Sequence, residues 1–513
     1  MPISRRFAVY VTTGTVCVAA VALTGIFVAM HVEKNARQYA IDALKRQFGA
    51  DVALGSLQLS LFPSLRATGD NLAIRFAGRT GLPPMITVRR FSASGGLTGF
   101  LRYPVHIARV DLEGLQVHIP PVGNDHQEKR SSGGSVVINE VIADGATLEI
   151  LPKDARKTPL SFNAKRLSVR SAGMGRTMMF HAELLNALPP GSILSDGQVG
   201  PWRADEPGET PVSAQYTFRN ANLGVFKGIE GTLSSEGKYQ GQLAKIEVQG
   251  AGDIPNFKLD FSGNTAHLRA TFAATVDAIN AVTALHPAEA FLGTSEWKVS
   301  GTIERGAITQ GREIDLSVKS VKGTLQDLLR VAVKGDPPPM TGTVAFDSRI
   351  KIPQGASPVM RKLQLNGEFS ARGVKFTDPE VQAKMASLSH RAEADPRDHD
   401  PAVEGTMTGH FNLDNGTVSL AQVVFGLPGA RVLLDGSYQL ANGALNFRGT
   451  ARLDATVSQM TTGIKRVLLK PVDPLFRHDG AGAVLPIVVS GARGDPSFRL
   501  DIGRAMRSDT VSK

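Results

Sequence analysis

From residue 51 onward the hydrophobic positions recur at every second residue. In VALGSLQLSLFPSL, residues 52–65, Leu57, Leu59 and Leu61 fall on one side, and Gln58 and Ser60 on the other. Leu72, Ile74 and Phe76 alternate with Ala73 and Arg75 in the same way. Such alternation predicts strands with one apolar and one polar face. In RVDLEGLQVHI, residues 109–119, Val110 and Leu112 alternate with Asp111 and Glu113. The frame then slips at Gly114 and resumes on Leu115, Val117 and Ile119, which predicts a β-bulge. Asp144-Gly145 predicts a turn before TLEIL, residues 147–151, whose apolar side holds Leu148 and Ile150. The pattern continues through Leu259 and Phe261, through KVSGTIE (298–304), and through Val344 and Phe346. Asn415-Gly416 then stands between runs carrying Phe411, Leu413 and Val418, and Asn442-Gly443 stands before Leu445 and Phe447. An Asn-Gly pair between alternating runs is the strongest local hairpin signal. The last such pair is LPIVVSGARGDPSFRLDIG, residues 485–503. Its turn residues fall in Gly491–Pro496, and Phe498, Leu500 and Ile502 alternate behind them.

Five stretches depart from period two. Residues 33–48 place Ile41, Leu44 and Phe48 on one face with Gly49 as C-cap, an amphipathic helix that docks on the first strands or lies against a membrane. Residues 277–286, 323–334, 380–388 and 455–470 also carry three-and-four spacing and predict helices. The last sets Val457, Met460 and Ile464 beside Lys465, Arg466 and Lys470, which suits either a membrane surface or a cap over the sheet end. Residues 122–135, 186–212 and 394–402 are rich in Gly, Pro and charge and predict loops.

Residues 7–30 contain no charged side chain. At about 1.5 Å per residue they reach ~36 Å, enough for a tilted crossing of a ~30 Å hydrocarbon core. Arg5 and Arg6 in the short tail ahead of the span favour a cytoplasmic N-terminus, with the rest of the chain carried across. The single cysteine, Cys17, lies within this span, so no intramolecular disulfide and no multi-cysteine metal site is expected.

Composition sharpens the picture. The chain has 513 residues, 53 of them Gly, with aromatics at 6% and a net charge of +10. Many glycines at turn spacing suit an all-β protein. The positive balance suits anionic lipid headgroups, and equally the solvated outer faces of strands. Catalytic signatures are missing: no GxSxG, HExxH or phosphate-binding P-loop occurs. Asp395, Asp398, His399 and Asp400 form the densest polar cluster, and a solvated loop explains them without chemistry. A non-enzymatic protein without cofactor or metal is expected.

Three regions resemble the AsmA-like proteins of Gram-negative envelopes, relatives of the bridge-like lipid transfer proteins. The first is the N-terminal span and helix followed by GADVALGSLQLSLFPSLRATGDNLAI (49–74). The second is FSARGVKFTDPEVQAKMASLSHRA (369–392). The third runs from FNLDNGTVSLAQVVFGLPGARVLLDGSYQL (411–440) through LKPVDPLFRHDGAGAVLPIVVSGARGDPSFRLDI (469–502). The resemblance implies a mostly β fold, in which an N-terminal transmembrane helix precedes a long twisted antiparallel sheet curled into an open apolar groove with a few short helices. It implies an inner-membrane protein with its bulk in the periplasm, partnered by phospholipids and by other envelope proteins, and not by nucleic acid. The expected layout is a tail at 1–6, an anchor at 7–30, an N-terminal groove region at 31–185, a loop at 186–212, a middle region at 213–364 and a C-terminal region at 365–513. The lining would be the alternating residues named above: Leu57, Leu59, Leu61, Leu72, Ile74, Leu115, Val117, Ile119, Leu148, Ile150, Leu259, Phe261, Val344, Phe346, Phe411, Leu413, Leu445, Phe447, Phe498 and Leu500. An anchored β-scaffold that assists outer-membrane protein assembly is the alternative function.

Overall fold

The computed structural model describes residues 37, 38, 41, 42, 45, 51–60, 65–75, 83–96, 105–121, 136–173, 175–203, 206–226, 228–260, 262–307, 311–395, 403–456, 458–460, 482–492 and 495–500. One sheet of 26 strands runs through them. β1 (Asp51–Ala53) and β2 (Ser56–Ser60) share a row beside β3 (Leu65–Arg75), and β4 (Ile86–Gly95) follows. β5 (Val105–Glu113) and β6 (Gln116–Ile119) share the next row, and β7 (Val136–Ile150) lies parallel to both. The expectation of a wholly antiparallel sheet is corrected here. A parallel pair needs a crossover, and the 16 residues of 120–135 are long enough to provide one.

Every later pairing is antiparallel. β8 (Leu160–Gly173), β9 (Met178–Ala187), β10 (Pro190–Val199) and β11 (Pro211–Asn222) lead to a row shared by β12 (Ile229–Glu230) and β13 (Thr232–Gln242). Then come β14 (Lys245–Leu259), β15 (Thr265–Asp277), β16 (Val282–Leu292), β17 (Ser295–Arg305) and β18 (Arg312–Thr324). The last are β19 (Met340–Ile352), β20 (Gln364–Phe376), β21 (Gly405–Asp414), β22 (Thr417–Leu427), β23 (Ala430–Gln439), β24 (Ala444–Leu453), β25 (Ala483–Ala492) and β26 (Asp495–Leu500). The loop expected over 186–212 therefore contains a strand, β10. The helix expected over 277–286 is instead the end of β15, a turn and the start of β16.

The slip at Gly114 belongs to a crease across five rows. Each strand there presents two successive outward residues between inward ones. Asn71 (φ 53°) marks it in β3, Arg89-Arg90 in β4, Gly114 (φ 63°) between β5 and β6, Gly145 (φ 64°) in β7 and Lys165-Arg166 in β8. Because neighbouring strands carry the same extra residue, the β4–β6 and β6–β7 registers continue those of β4–β5 and β5–β7. Asp144-Gly145 is thus part of the crease and not a turn. Such irregularities bend a strand and tighten its twist.

The sheet closes on itself in its first half. The β7–β8 connection meets the far end of β15–β18: Lys153 N–H donates to Ile279 O at 2.9 Å, and Thr158 N–H to Gly306 O at 2.9 Å. Lys157 bridges to Ala307. The enclosed apolar faces form one core reaching from Val52 to Ala278, with Phe91, Phe218, Leu72, Ile74, Ile86 and Ile107 fully buried. Ile41 of the N-terminal helical stretch belongs to this core, and Arg37 Nε donates to Leu54 O at 2.8 Å, so the stretch docks on the first strands. Among the described residues no helix is long and apolar enough to cross a membrane. Residues 7–30 lie outside them.

Candidate functional site

In the second half the same alternation continues, but among the described residues no second layer of sheet covers it. From β16 to β26 the inward row mixes fully buried positions, such as Val344, Ala371, Leu413 and Val432, with half-buried ones, where the first half is mostly buried. Two helices cover one rim of it. α1 (Leu325–Ala332) places Leu325 against Val344, Ala371 and Val374, and Val331 against Leu292 and Trp297. A four-residue helix, α2 (Val359–Lys362), sits in the β19–β20 connection, and α3 (Pro379–Ala392) sets Ala392 and Leu388 against Ala430, Leu453 and Ala483. Both long helices start as their sequences require. Thr324 and Asp378 are N-caps: Thr324 Oγ1 accepts from Asp327 N–H, and Asp378 Oδ1 accepts from Glu380 and Val381 N–H. Asp327 also ties α1 to the β16–β17 turn, accepting from Thr294 N–H at 2.9 Å, Thr294 Oγ1 at 2.7 Å and Ser295 Oγ at 2.8 Å. Burial pushes its pKa up, but these hydrogen bonds outweigh burial and hold it below the usual carboxylate value.

At the opposite rim the β19–β20 connection, with α2, lies against the β17–β18 turn, where a Cβ on Gly306 would stand 2.4 Å from the Gln354 side chain, and the later rows end in short turns. The inward row there includes Leu316, Ile350, Leu365, Tyr438, Leu445 and Phe447, all half-buried. Deeper on the face, Trp297 meets Phe346 edge-on at 5.8 Å, and Phe346 stacks on Phe411 at 5.0 Å. The outward face is polar. Arg349 forms a two-pronged pair with Asp315 at 2.7 Å on both bonds, and Lys319–Asp347 and Lys375–Glu404 continue the pattern. The Arg349 hydrogen bonds hold the Asp315 carboxyl below its ordinary value.

The expected lining residues separate into groups. Leu72, Ile74, Leu115, Val117, Ile119, Leu148 and Ile150 lie in the closed core at 2% exposure or less, where protein already covers them. For these residues the open lining expected from sequence is corrected, because the curl of the first half brings opposing rows together. Leu57 and Leu59 pack at the margin of that core. Leu259 and Phe346 lie near α1 with Trp297, and Val344 lies beneath Leu325. Phe411, Leu413, Leu445 and Phe447 stand in the inward row of the second half. Leu500, on the last strand, is 51% exposed. Leu61, Phe261, Lys465, Arg466, Lys470 and the Asp398–Asp400 loop lie outside the described residues, as does the side chain of Phe498.

Sequence reading missed Trp297, Leu316, Ile350, Leu365 and Tyr438, although their two-residue spacing was available. It also missed a polar inlay in the closed half. There Ser195 Oγ pairs with Tyr239 Oη, and Tyr216 Oη lies 3.1 Å from Ser235 Oγ. Among the described residues no three His, Cys, Asp or Glu side chains converge to hold a metal ion. Comparison of the chain with protein-family models, with curated proteins and with solved structures finds no match.

Proposed function

We propose that this chain is a non-enzymatic member of the AsmA-like group, anchored in the inner membrane by residues 7–30, that holds phospholipid acyl chains along the second half of its sheet and supports lipid supply to the outer membrane. The observation that carries the reading is the inward row from β18 to β24. It is apolar, its positions away from α1 and α3, such as Leu316, Ile350, Leu365, Tyr438, Leu445 and Phe447, are only half-buried, and the two longer helices cover it on one rim. A contiguous apolar row that the protein only partly covers is a candidate binding face. A row of alternating side chains discriminates little between acyl chains, which suits a ligand without directional chemistry. Each buried methylene contributes about 0.8 kcal/mol, so a chain of ~16 carbons gains on the order of 10 kcal/mol before ordering costs. The groove is then a feature of the second half, and the first half is its closed base.

The test uses the full chain purified in an uncharged detergent, with co-purified phospholipid counted per chain after solvent extraction. Leu316→Glu with Ile350→Glu and Leu365→Glu places carboxylates in the open row and leaves the closed core intact. The expected result is several phospholipids per wild-type chain and a loss of more than half of them in the triple variant at an unchanged melting temperature. An equal count in both proteins would leave the apolar row to a protein partner and favour the scaffold function.

A further inference from the structure

Arg305 ends β17 and Arg312 begins β18, and the two are direct cross-strand partners. Both stand in the inward row. Arg305 follows Trp297, Val299, Gly301 and Ile303 at two-residue spacing, and Arg312 precedes Ile314, Leu316 and Val318. Side chains so placed have Cβ atoms about 5 Å apart, and like charges there repel. Arg305 is only 9% exposed. Its Nη2 donates to Ala278 O at 3.2 Å, while its buried Nε has no partner. Arg312 is half-buried. Neither guanidinium is ion-paired among the described residues. Asp277, the acidic group whose charge acts on Arg305, accepts from Asn280 N–H at 2.9 Å and Asn280 Nδ2 at 2.7 Å. Two adjacent cations, one of them buried with an orphan donor, are costly for a fold to retain. An apolar side chain would fill either position at less cost.

Their position suggests what offsets that cost. The pair lies on the rim opposite α1 and α3, where the β7–β8 connection meets the β17–β18 turn and Gln354 stands against Gly306, at the junction of the closed half and the open row. Ile314 pairs with Ile352, Leu316 with Ile350, and Ile350 with Leu365, so the apolar row starts immediately beside the arginines. A guanidinium has five donors in a planar fork that matches phosphate oxygens two at a time. We propose that Arg305 and Arg312 form an anion site that takes a phosphate oxyanion, supplied by the headgroup of a phospholipid whose acyl chains lie along the neighbouring inward row. The lipid source rests on the function proposed above; the anion chemistry rests on the arginine pair alone.

The full chain in uncharged detergent would be titrated with three probes at constant ionic strength: dihexanoyl-phosphatidylglycerol, dihexanoylglycerol and inorganic phosphate. Binding is read by calorimetry and by the shift in melting temperature. The expected result is that the phospholipid binds at least tenfold more tightly than the phosphate-free glyceride. In the Arg305→Met, Arg312→Met protein that ratio falls to about one while glyceride binding persists, which separates the anion site from the acyl-chain face. Arg312→Gln, at the more exposed position, keeps the fold in any event and lowers the ratio at least threefold. If inorganic phosphate shifts the melting temperature as strongly as the phospholipid and the glyceride does not bind, the anion site stands with a free phosphate as its ligand and the lipid function fails. A ratio unchanged by Arg312→Gln, or no response of the wild type to either phosphate-bearing probe, overturns the proposal.

Discussion

Arg305, at the edge of the apolar face, and Asp327, on α1 beside it, respond to pH in opposite senses. Arg305 has a pKa pushed down to about 10, first by burial and then by Arg312, with Asp277 opposing. It stays protonated at neutral pH, so burying its charge is a standing cost. The lowering from the ordinary guanidinium value corresponds to about 3 kcal/mol. For a base with a lowered folded pKa the penalty is full below about pH 10 and is relieved as pH rises from there toward the ordinary guanidinium value. Urea unfolding at pH 7 should therefore find Arg305→Met more stable than wild type by roughly 2–3 kcal/mol, since an apolar group of similar length removes the buried charge. A loss of stability would mean that Arg305 is paired in the folded protein. Asp327 behaves in the reverse sense. Its folded pKa lies below the ordinary 3.8, so its stabilisation is present above that value and is lost as pH falls through the folded pKa. Asp327→Ala should cost about 2 kcal/mol at pH 7 through three lost bonds to the β16–β17 turn. The two proteins should converge in stability below the folded pKa. A difference that persists unchanged at pH 2 would show that packing, and not the carboxylate, ties α1 to the turn.

At the scale of the element, legibility depended on whether a signal was local. The Asn415-Gly416 hairpin was readable because two residues decide it: both adopt positive φ, 52° and 74°, and Asp414 pairs with Thr417 across them. The helices at 325–332 and 379–392 were readable from their three-and-four spacing over 323–334 and 380–388. Residues 277–286 imitate that spacing, but Ile279 falls in a turn. Ala281 has φ 62°, and His286-Pro287 occupies a bulge between Leu285 and Ala288, where proline loses no ladder bond. β10 was missed because its inward row is Gly191, Ile193, Ser195, Gly197 and Val199, a composition that reads as loop. The glycines are there for contact and not for turning. A Cβ on Gly191 would stand 2.7 Å from the Phe218 ring, and one on Gly197 would stand 2.0 Å from Ala214 Cβ. Of the candidate site, the apolar row was legible and its cover was not, because which rows meet protein depends on how the whole sheet curls. α1 carries that point into a measurement. Leu325 is 4% exposed against Val344 and Val374. Leu325→Ala should cost about 3 kcal/mol in unfolding free energy, the usual range for a buried leucine. A cost under 1 kcal/mol would mean that α1 is a loosely held flap over the face and not part of its wall.

For the whole molecule, one alternating pattern gives two environments. Where the β7–β8 connection reaches Ile279 and Gly306, the inward rows face one another and exclude water; beyond β17 they do not. Three rows hold two strands each, so at about 4.8 Å per row the ladder is roughly 100 Å long along its curve. Its last strand, β26, pairs only with β25 among the described residues. The closed half has a core of its own and the open half depends on hairpin ladders with two rim helices, so their local stabilities should differ. Hydrogen exchange on the lipid-free chain should show amides of β7 and β8, such as Val141 and Leu167, exchanging only through global unfolding. Amides of β23 and β24, such as Leu434 and Phe447, should exchange at least a hundredfold faster. Adding phospholipid should slow the second group and leave the first unchanged, because only the second has an apolar row left to cover. Uniform protection across both halves without lipid would mean that the open row is already buried against another surface. In that case the acyl-chain function would lose its physical basis, since no apolar area would remain for a lipid to remove from water.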